Sequence, residues 1–397
     1  MPQHPSPFPS RAQGLSLVEL LVSLVIGLIV VLVVVNIFIL SKTSAALAEG
    51  RGRVHENGII GMDYLQDDLR MVGHFGCVSD QALTGGTVSY LKTTFDTTRS
   101  ALNFNISIQG YEASSTAPGN SINVSSLSTG GTGFSPTLPS DLAAVLSDRV
   151  NSSDIVALRY LSPRSVLLST TTNATFPTLT FPSASWNAIA DYETSAGLMA
   201  LSDCSSTTVF QASNATAAAG TINVLSSGLN TRGFSQVYEG QKARLYGATS
   251  VVYYVGKPQN ATYPSLFRVR FVSNPGGALQ YQKDEVISGV ESMQILYGQD
   301  RSTSTRLTGF MDRQQTASII QTSLGTPQLS WSRVGMVKIG LLLVDTNRSS
   351  ALQRGQAQLG NTGTITLQGV NITVPADQHY RSPIEATVAL RNRLYGN

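Results

Sequence analysis

The chain has 397 residues and a formal net charge of +3 at pH 7, from 27 basic and 24 acidic residues. This near balance argues against a nucleic-acid binder, which usually carries a basic patch, so no direct nucleic-acid binding is expected. Only 13% of the residues are charged, and Ser, Thr, Asn and Gly take their place, which favours loop-rich β structure on an extracytoplasmic surface.

An uncharged apolar segment, residues 20–40, lies near the N-terminus. As an α-helix it would be about 31 Å long, enough to cross the hydrocarbon core of a bilayer. A cleaved secretory signal peptide usually has a shorter apolar core of about 7–15 residues, so the length favours a retained membrane helix. A plain single-pass anchor also fits this segment. The large polar region that follows favours export of the C-terminal part.

Glu19 immediately precedes this segment, and its carboxylate has no obvious partner. An acidic residue at mid-membrane costs roughly 2.5–3.5 kcal/mol on insertion scales, and less near the end of a span. Such a residue usually pairs with a cation, but no Lys or Arg lies one helical turn away, and Arg11 is farther upstream. The sequence therefore raises the question of which cation meets Glu19.

After the apolar segment the chain is predicted to continue as an amphipathic helix. Met62, Leu65, Leu69 and Val72 recur at helical spacing and form one apolar stripe, which predicts packing on a sheet. The charged residues nearby are predicted to lie on other faces: Asp63, Asp67, Asp68 and Arg70.

Glycines interrupt this part of the helix and then end it. Those between the apolar segment and the stripe predict a locally loose stretch, because glycine is a poor helix former. They are Gly50, Gly52, Gly58 and Gly61. Gly73 and Gly76, just before Cys77, predict the end of the helix.

The rest of the chain is predicted to form short strands within one enlarged β domain, since no Pro-rich linker divides it. Candidate strands lie at 155–161, 166–169, 208–211, 251–255, 266–271, 293–297, 336–344 and 384–390. The Ser/Gly/Thr-rich stretch 113–136 is predicted to be a loop.

Cys77 and Cys204 are the two cysteines of the chain. In an oxidising compartment one disulfide between them is a natural interpretation, and two free buried thiols are the alternative. The residues alone leave both interpretations open.

No catalytic residue, metal site or cofactor is predicted. His379 is the histidine expected in the β domain, and it is predicted to be a surface or loop residue. No serine lies in a G-x-S-x-G elbow, and no P-loop, dinucleotide fingerprint or zinc-type Cys/His cluster is present. Asp345 and Asn347 could touch a cation but lack the ligand series of a calcium loop, so a turn is predicted there.

Residues 14–20, GLSLVEL, resemble the class III signal of type IV prepilins: a Gly, a hydrophobic residue, and a Glu five residues after the Gly. The resemblance implies that a prepilin peptidase cleaves between Gly14 and Leu15 and methylates the new amine of Leu15. Leu15 stands where the family usually has Phe. In a staggered bundle, Glu19 would pair with the Leu15 amine of a neighbouring subunit, and such a buried pair sets register more than it adds stability.

Several later stretches resemble the PilW family of minor pilins, most specifically VISGVESMQILYG at 286–298 and TVALRN at 387–392. Other similar stretches lie at 70–77, 201–204, 252–255 and 265–268. The resemblance implies a Cys77–Cys204 disulfide. It also implies a part in priming pilus assembly and in a tip complex with other minor pilins, the major pilin and a large tip adhesin. Twitching motility, attachment and DNA uptake would depend on it.

Together these interpretations predict an α+β, pilin-like fold, in which a long helix packs on an enlarged, mainly antiparallel β headgroup. Residues 1–14 would be a leader, 15–40 a transmembrane and assembly helix, 41–76 its amphipathic half, and 77–397 a periplasmic headgroup. The chain would cross the inner membrane once, in contact with lipid, and then enter the pilus, at its tip. The alternatives are a type II secretion minor pseudopilin, or a membrane-anchored periplasmic enzyme or binding protein that leaves Glu19 unexplained.

Overall fold

A computed structural model describes residues 16–79, 90–125, 127–189, 197–302, 308–311, 313–347, 363–375, 377 and 379–394. The fold is α+β, as predicted: one 55-residue helix, α1 (Leu17–Met71), precedes a mostly antiparallel β-rich domain. The predicted leader, 1–14, and the predicted methylation residue Leu15 lie outside the described residues.

Short strands and shorter helices make up the β-rich domain. The strands are β1 (His74–Phe75), β2 (Val78–Ser79), β3 (Leu91–Thr93), β4 (Ile108–Ala113), β5 (Ser121–Asn123), β6 (Phe134–Ser135), β7 (Ile155–Leu167), β8 (Thr178–Thr180), β9 (Leu198–Ser202), β10 (Thr207–Gln211), β11 (Asn214–Thr216), β12 (Thr221–Asn223), β13 (Arg244–Gly256), β14 (Ser265–Val272), β15 (Gln280–Ser288), β16 (Val290–Gln299), β17 (Arg313–Gln315), β18 (Val334–Val344), β19 (Gly363–Leu367), β20 (Val370–Val374) and β21 (Arg381–Ala389). The helices are α2 (Ser140–Val145), α3 (Trp186–Ile189), α4 (Ala317–Thr322), α5 (Pro327–Ser332) and α6 (Arg391–Leu394).

Two sheets position α1. The large sheet runs β3-β10-β9-β13-β7-β4-β6, and β14 and β15 extend it from β13. The small sheet runs β17-β16-β18-β21 and is antiparallel throughout. Parallel pairing occurs between β3 and β10 and between β5 and β20. α1 contacts β7 and β15 of the large sheet and β18 and β21 of the small sheet, so both sheets share one helix.

Strand alternation divides the core of the large sheet into two layers. Val156 and Leu158 of β7 join the α1 stripe and the small sheet in one hydrophobic cluster. Ile155 and Ala157 face the opposite way, into a cluster with Leu142 of α2. The first part of β7, residues 155–161, is therefore buried on both faces, which explains why its sequence is mostly apolar.

Most predicted strands are present, but two predictions are wrong. The candidates 155–161 and 166–169 belong mainly to one strand, β7, because pairing with β13 continues across a bulge through the polar residues between them. The predicted loop 113–136 contains β5 and β6. β5 forms because β20, far along the chain, pairs with it in parallel. A local sequence pattern cannot predict such a long-range pairing.

Candidate assembly interface

The first half of α1 is an apolar helical segment that packs against none of the described residues. Residues 17–40 are all exposed, and among the described residues α1 is the helix long and apolar enough to cross a membrane. Two polar side chains in this half bond to the helix itself: Ser23 Oγ donates to the Leu20 carbonyl and Asn36 Nδ2 to the Leu32 carbonyl, both at 2.9 Å. Because these groups need no external partner, they are compatible with a lipid environment.

Glu19 lies in the first turn of α1 and is exposed. Its carboxylate makes no hydrogen bond or ion pair with any residue in the described part of the chain, although the helix dipole favours an acid at this end. Gly14 and Leu15, the predicted cleavage and methylation residues, lie outside the described residues. The pairing of Glu19 with a Leu15 amine therefore stays a prediction.

The second half of α1 packs on the β-rich domain through the predicted stripe. Met62, Leu65, Leu69 and Val72 are at most 4% exposed, and Val54 joins them. They enter the cluster in which both sheets meet. The predicted stripe is therefore the face of α1 that docks on the β-rich domain.

The prediction of a loose stretch is wrong, because α1 continues without a break through its glycines. A Cβ atom at Gly58 would overlap Ile384 of β21, and one at Gly61 would overlap Ile287 of β15. Gly52, by contrast, has open space around it. Gly58 and Gly61 thus let the helix approach the sheets closely, and this packing outweighs the cost of about 1 kcal/mol for each glycine in a helix.

Asp68, predicted to face away from the sheet, instead points into the large sheet and is only 13% exposed. Its carboxylate accepts hydrogen bonds from Tyr160 Oη at 2.5 Å, from Tyr253 Oη at 2.7 Å and from Arg268 Nε at 2.7 Å. These donors come from β7, β13 and β14. One helix carboxylate therefore binds three neighbouring strands, and we call these four residues the Asp68 cluster.

Burial sets the protonation of the Asp68 cluster. It raises the pKa of Tyr160 and of Tyr253, and the negative charge of Asp68 raises both further. Burial alone would lower the pKa of Arg268, but attraction to Asp68 outweighs it and the pKa is raised. The cluster accordingly contains one cation and two neutral phenols at neutral pH. In the sequence, the one indication of the Asp68 cluster is the position of Asp68 beside Leu69, at the border of the apolar stripe.

A second polar contact joins α1 to the end of β18 in the small sheet. Arg53 Nη2 donates to Asp345 Oδ2 at 3.1 Å and Arg53 Nε donates to Oδ1 at 3.2 Å, a two-pronged contact with a carboxylate that is 1% exposed. Arg53 also pairs with the exposed Glu49 at 2.6 Å. The chain bends after β18, in agreement with the turn predicted there. The carboxylate of Asp345 in this bend binds Arg53 of α1.

His379 lies in a loop, as predicted, but is buried. Its Nδ1 contacts the Asp345 carbonyl oxygen at 2.7 Å and its Nε2 contacts the Tyr263 hydroxyl at 2.8 Å. Both ring nitrogens therefore support the segment that binds Arg53. Within the described ranges, no group of three His, Cys, Asp or Glu side chains is placed to hold a metal ion.

Two family models match the chain, at its two ends. The prokaryotic N-terminal methylation motif matches residues 9–35, and Type IV Pilus-assembly protein W, PilW, matches residues 252–392. The chain is therefore similar to PilW over residues 252–392 and carries the N-terminal methylation motif, and these two matches support a type IV pilus-related pilin. No curated protein and no solved structure matches it.

The PilW-like region supplies most of the surface that receives α1. It contains β15, β18 and β21, as well as Ile287 and Ile384, which meet the helix glycines. The methylation motif implies processing by prepilin peptidase and assembly with other pilins, and together with the apolar helix it fits an inner-membrane-anchored pilin. Pilin-family domains are generally structural.

Two further contacts fix the end of α1 to the β-rich domain. Cys77, just after the helix, forms a disulfide with Cys204, between β9 and β10. Asn392 of α6 donates from Nδ2 to the Arg70 carbonyl at 2.9 Å and to the Val72 carbonyl at 3.4 Å, and so caps carbonyls that a helix end leaves free. The TVALRN stretch ends at Asn392, but its pattern did not reveal this capping role.

Proposed function

We propose that this protein is a minor pilin of the type IV pilus that helps to prime assembly and forms part of the tip complex, without enzymatic activity. Prepilin peptidase would cleave after Gly14 and methylate Leu15. The β-rich domain would lie in the periplasm until the helix leaves the inner membrane for the filament. Its partners would be other minor pilins, the major pilin and a large tip adhesin.

The observation that carries this proposal is the state of Glu19. It is an exposed carboxylate in the first turn of a helix half that is otherwise uncharged up to Leu40, and no described residue pairs with it. An ion without a partner is costly in lipid, so its partner has to come from outside the described chain. The new ammonium group of a neighbouring subunit's first residue supplies the cation at the right depth.

Mass spectrometry of the N-terminal peptide, from membranes and from sheared pili, tests the proposal. We expect a peptide that begins at N-methylated Leu15 in both fractions. An intact Met1 terminus, or a cut beyond Leu40, would exclude the pilin function and favour an anchored or secreted protein. Processed chain that never enters pili but co-purifies with a secretion apparatus would instead support a type II secretion pseudopilin.

Substitution of Glu19 tests the pairing itself. Glu19→Ala is expected to leave membrane insertion and the melting temperature of the headgroup unchanged and to reduce the amount of protein in sheared pili. Ser23→Ala is the matched control, because it lies one turn away and removes only a bond within the helix. If Glu19→Ala entered pili as well as Ser23→Ala does, the ion pair would play no part in assembly.

A further inference from the structure

α1 is fixed to each of the two sheets by the same two kinds of contact. On the large sheet these are the Asp68 cluster and the close approach of Gly61 to Ile287. On the small sheet they are the ion pair of Arg53 with Asp345 and the close approach of Gly58 to Ile384. Each sheet therefore receives one charged contact and one glycine contact from the helix.

The two charged contacts have opposite polarity. The helix gives an acid, Asp68, to a cation of the large sheet, and a cation, Arg53, to an acid of the small sheet. They are 15 residues apart, about 22 Å along the helix axis. A helix that rotated by one residue, or slid by one turn, would lose both contacts and leave Arg268 and Asp345 buried without these partners.

We infer that Asp68 and Arg53 are positioning residues, which together fix the rotation and height of α1 over both sheets and so decide which helix face the neighbouring subunits meet. The part of this inference that concerns neighbours rests on the proposed function. The face in question carries Ile59, Ile60 and Tyr64, which are 48%, 40% and 54% exposed although they belong to the docked half of the helix.

The apolar stripe alone would leave this orientation poorly defined. Aliphatic side chains such as Leu65 and Leu69 can repack after a small rotation, because the hydrophobic effect has no direction. Hydrogen bonds at 2.5–2.7 Å to three different strands have a direction, as does a two-pronged guanidinium contact. The charged contacts select one among several orientations that the stripe allows.

Distances between spin labels on the full-length protein in detergent test the inference. A label at Glu56→Cys on the exposed face of α1 is paired either with one at Asp284→Cys on β15 or with one at Thr387→Cys on β21; all three positions are exposed. Both native cysteines are in a disulfide, so the added thiols take the labels selectively. A third pair, at 284 and 387, reports on the two sheets without the helix.

We expect narrow distance distributions in the parent protein. The double variant Asp68→Asn with Arg268→Gln removes both charges of the large-sheet contact, so it avoids an unpaired buried ion, and it should broaden the 56–284 distances. Arg53→Gln with Asp345→Asn should broaden the 56–387 distances. The 284–387 distances should stay unchanged in both double variants.

Matched controls come from the same helix. Asp67→Asn removes an exposed carboxylate next to Asp68, and Glu49→Gln removes the exposed partner of Arg53; neither should change any distance. If the Asp68/Arg268 double variant does not fold, Tyr253→Phe replaces it, since this change removes one hydrogen bond to Asp68 and leaves all charges in place. Unchanged helix-to-sheet distances in the folded variants would overturn the positioning role.

Sheared pili provide the second readout. The variants with broadened distances should enter pili less well than Asp67→Asn does. Full incorporation despite broadened distances would overturn the claim that orientation matters to neighbours, while the distances would still support the positioning role within one subunit. A parent protein absent from pili would count against the proposed function instead, so the two failures are distinguishable.

Discussion

The two halves of α1 share one unbroken backbone but differ in what determines their residues. The half at 17–40 packs against nothing in the described part of the chain, and any apolar side chain of suitable length serves it. The half from Ser41 to Met71 contains glycines and charges that have specific partners in two sheets. Composition therefore explains the first half, whereas the second half is explained only by residues far away in the sequence.

The acids of the two halves show this difference most clearly. Asp68 is surrounded by donors from three strands, whereas Glu19 has none among the described residues. Asp68 is explained by the fold of one chain. Glu19 needs a second chain under the proposed function. The predictions below test how independent the two halves are, from the largest expected effect to the smallest.

Removal of the disulfide should destabilise the headgroup most. Cys77→Ser with Cys204→Ser opens a loop with a sequence separation of 127. The chain-entropy model gives a loss of about 5 kcal/mol in the free energy of unfolding for a loop of this length. Chemical denaturation under oxidising conditions measures it. Membrane insertion of the first half should not change, and a loss of insertion would show that the two halves are coupled.

A buried acid in the headgroup should make stability depend on pH. Asp154 accepts hydrogen bonds from the Ala113 N–H in the large sheet and the Ile295 N–H in the small sheet, both at 2.9 Å. Burial raises the pKa of Asp154 to about 8, against the opposing effect of these two donors. Between its ordinary pKa near 3.8 and this value, the folded state holds a proton that the unfolded state has lost. Its contribution to stability therefore falls as pH rises through this window.

Asp154→Asn isolates that contribution. We expect a loss of about 1–3 kcal/mol at pH 5, because the new amide group cannot accept from both backbone donors. The difference from the parent protein should shrink as pH rises from 5 to 9. Burial also raises the pKa of Glu112, but Glu112 is present in both proteins. Thermal melts of both proteins from pH 5 to 9 test this expectation, with Asp67→Asn as the exposed control. A stability difference that does not change with pH would contradict the raised pKa of Asp154.

Two glycines in the same helix should respond in opposite ways to the same change. Gly58→Ala places a methyl group against Ile384 and should cost about 1–3 kcal/mol of unfolding free energy. Gly52→Ala enters open space and should add about 0.5–1 kcal/mol through helix propensity. Denaturation curves of the two variants give the comparison directly. Equal shifts of the same sign would mean that the helix does not approach β21 as closely as the structure shows.

The smallest effect is expected in the membrane half. Asn36→Leu removes an amide whose observed hydrogen bond is to its own helix, so the free energy of unfolding of the headgroup should change by less than about 0.5 kcal/mol. Thermal melting of the full chain in detergent checks this. A larger shift in melting temperature would contradict the independence of the two halves, because it would mean that the exposed half of α1 contributes to headgroup stability.

Sequence patterns predicted those features whose signals are local. The exposed apolar part of α1 follows from 21 uncharged residues, and the stripe from Met62 to Val72 follows from helical periodicity. Asp68 and Arg53 could not be assigned, because their partners Arg268 and Asp345 are 200 and 292 residues away. Gly58 was misjudged for the same reason, since its poor helix propensity is visible locally and its contact with Ile384 is not.

The cap on α1 has a consequence for the order in which the chain folds. Asn392 closes the helix end from 322 residues further along, and β21, which packs against Gly58, is the last strand of the described chain. Such long-range contacts give a high contact order, which is typical of slow folding. During synthesis the apolar face of α1 stays partly uncovered until β21 has been made. A chain truncated before β21 would lack both this strand and the Asn392 cap, and it would expose an aggregation-prone helix face.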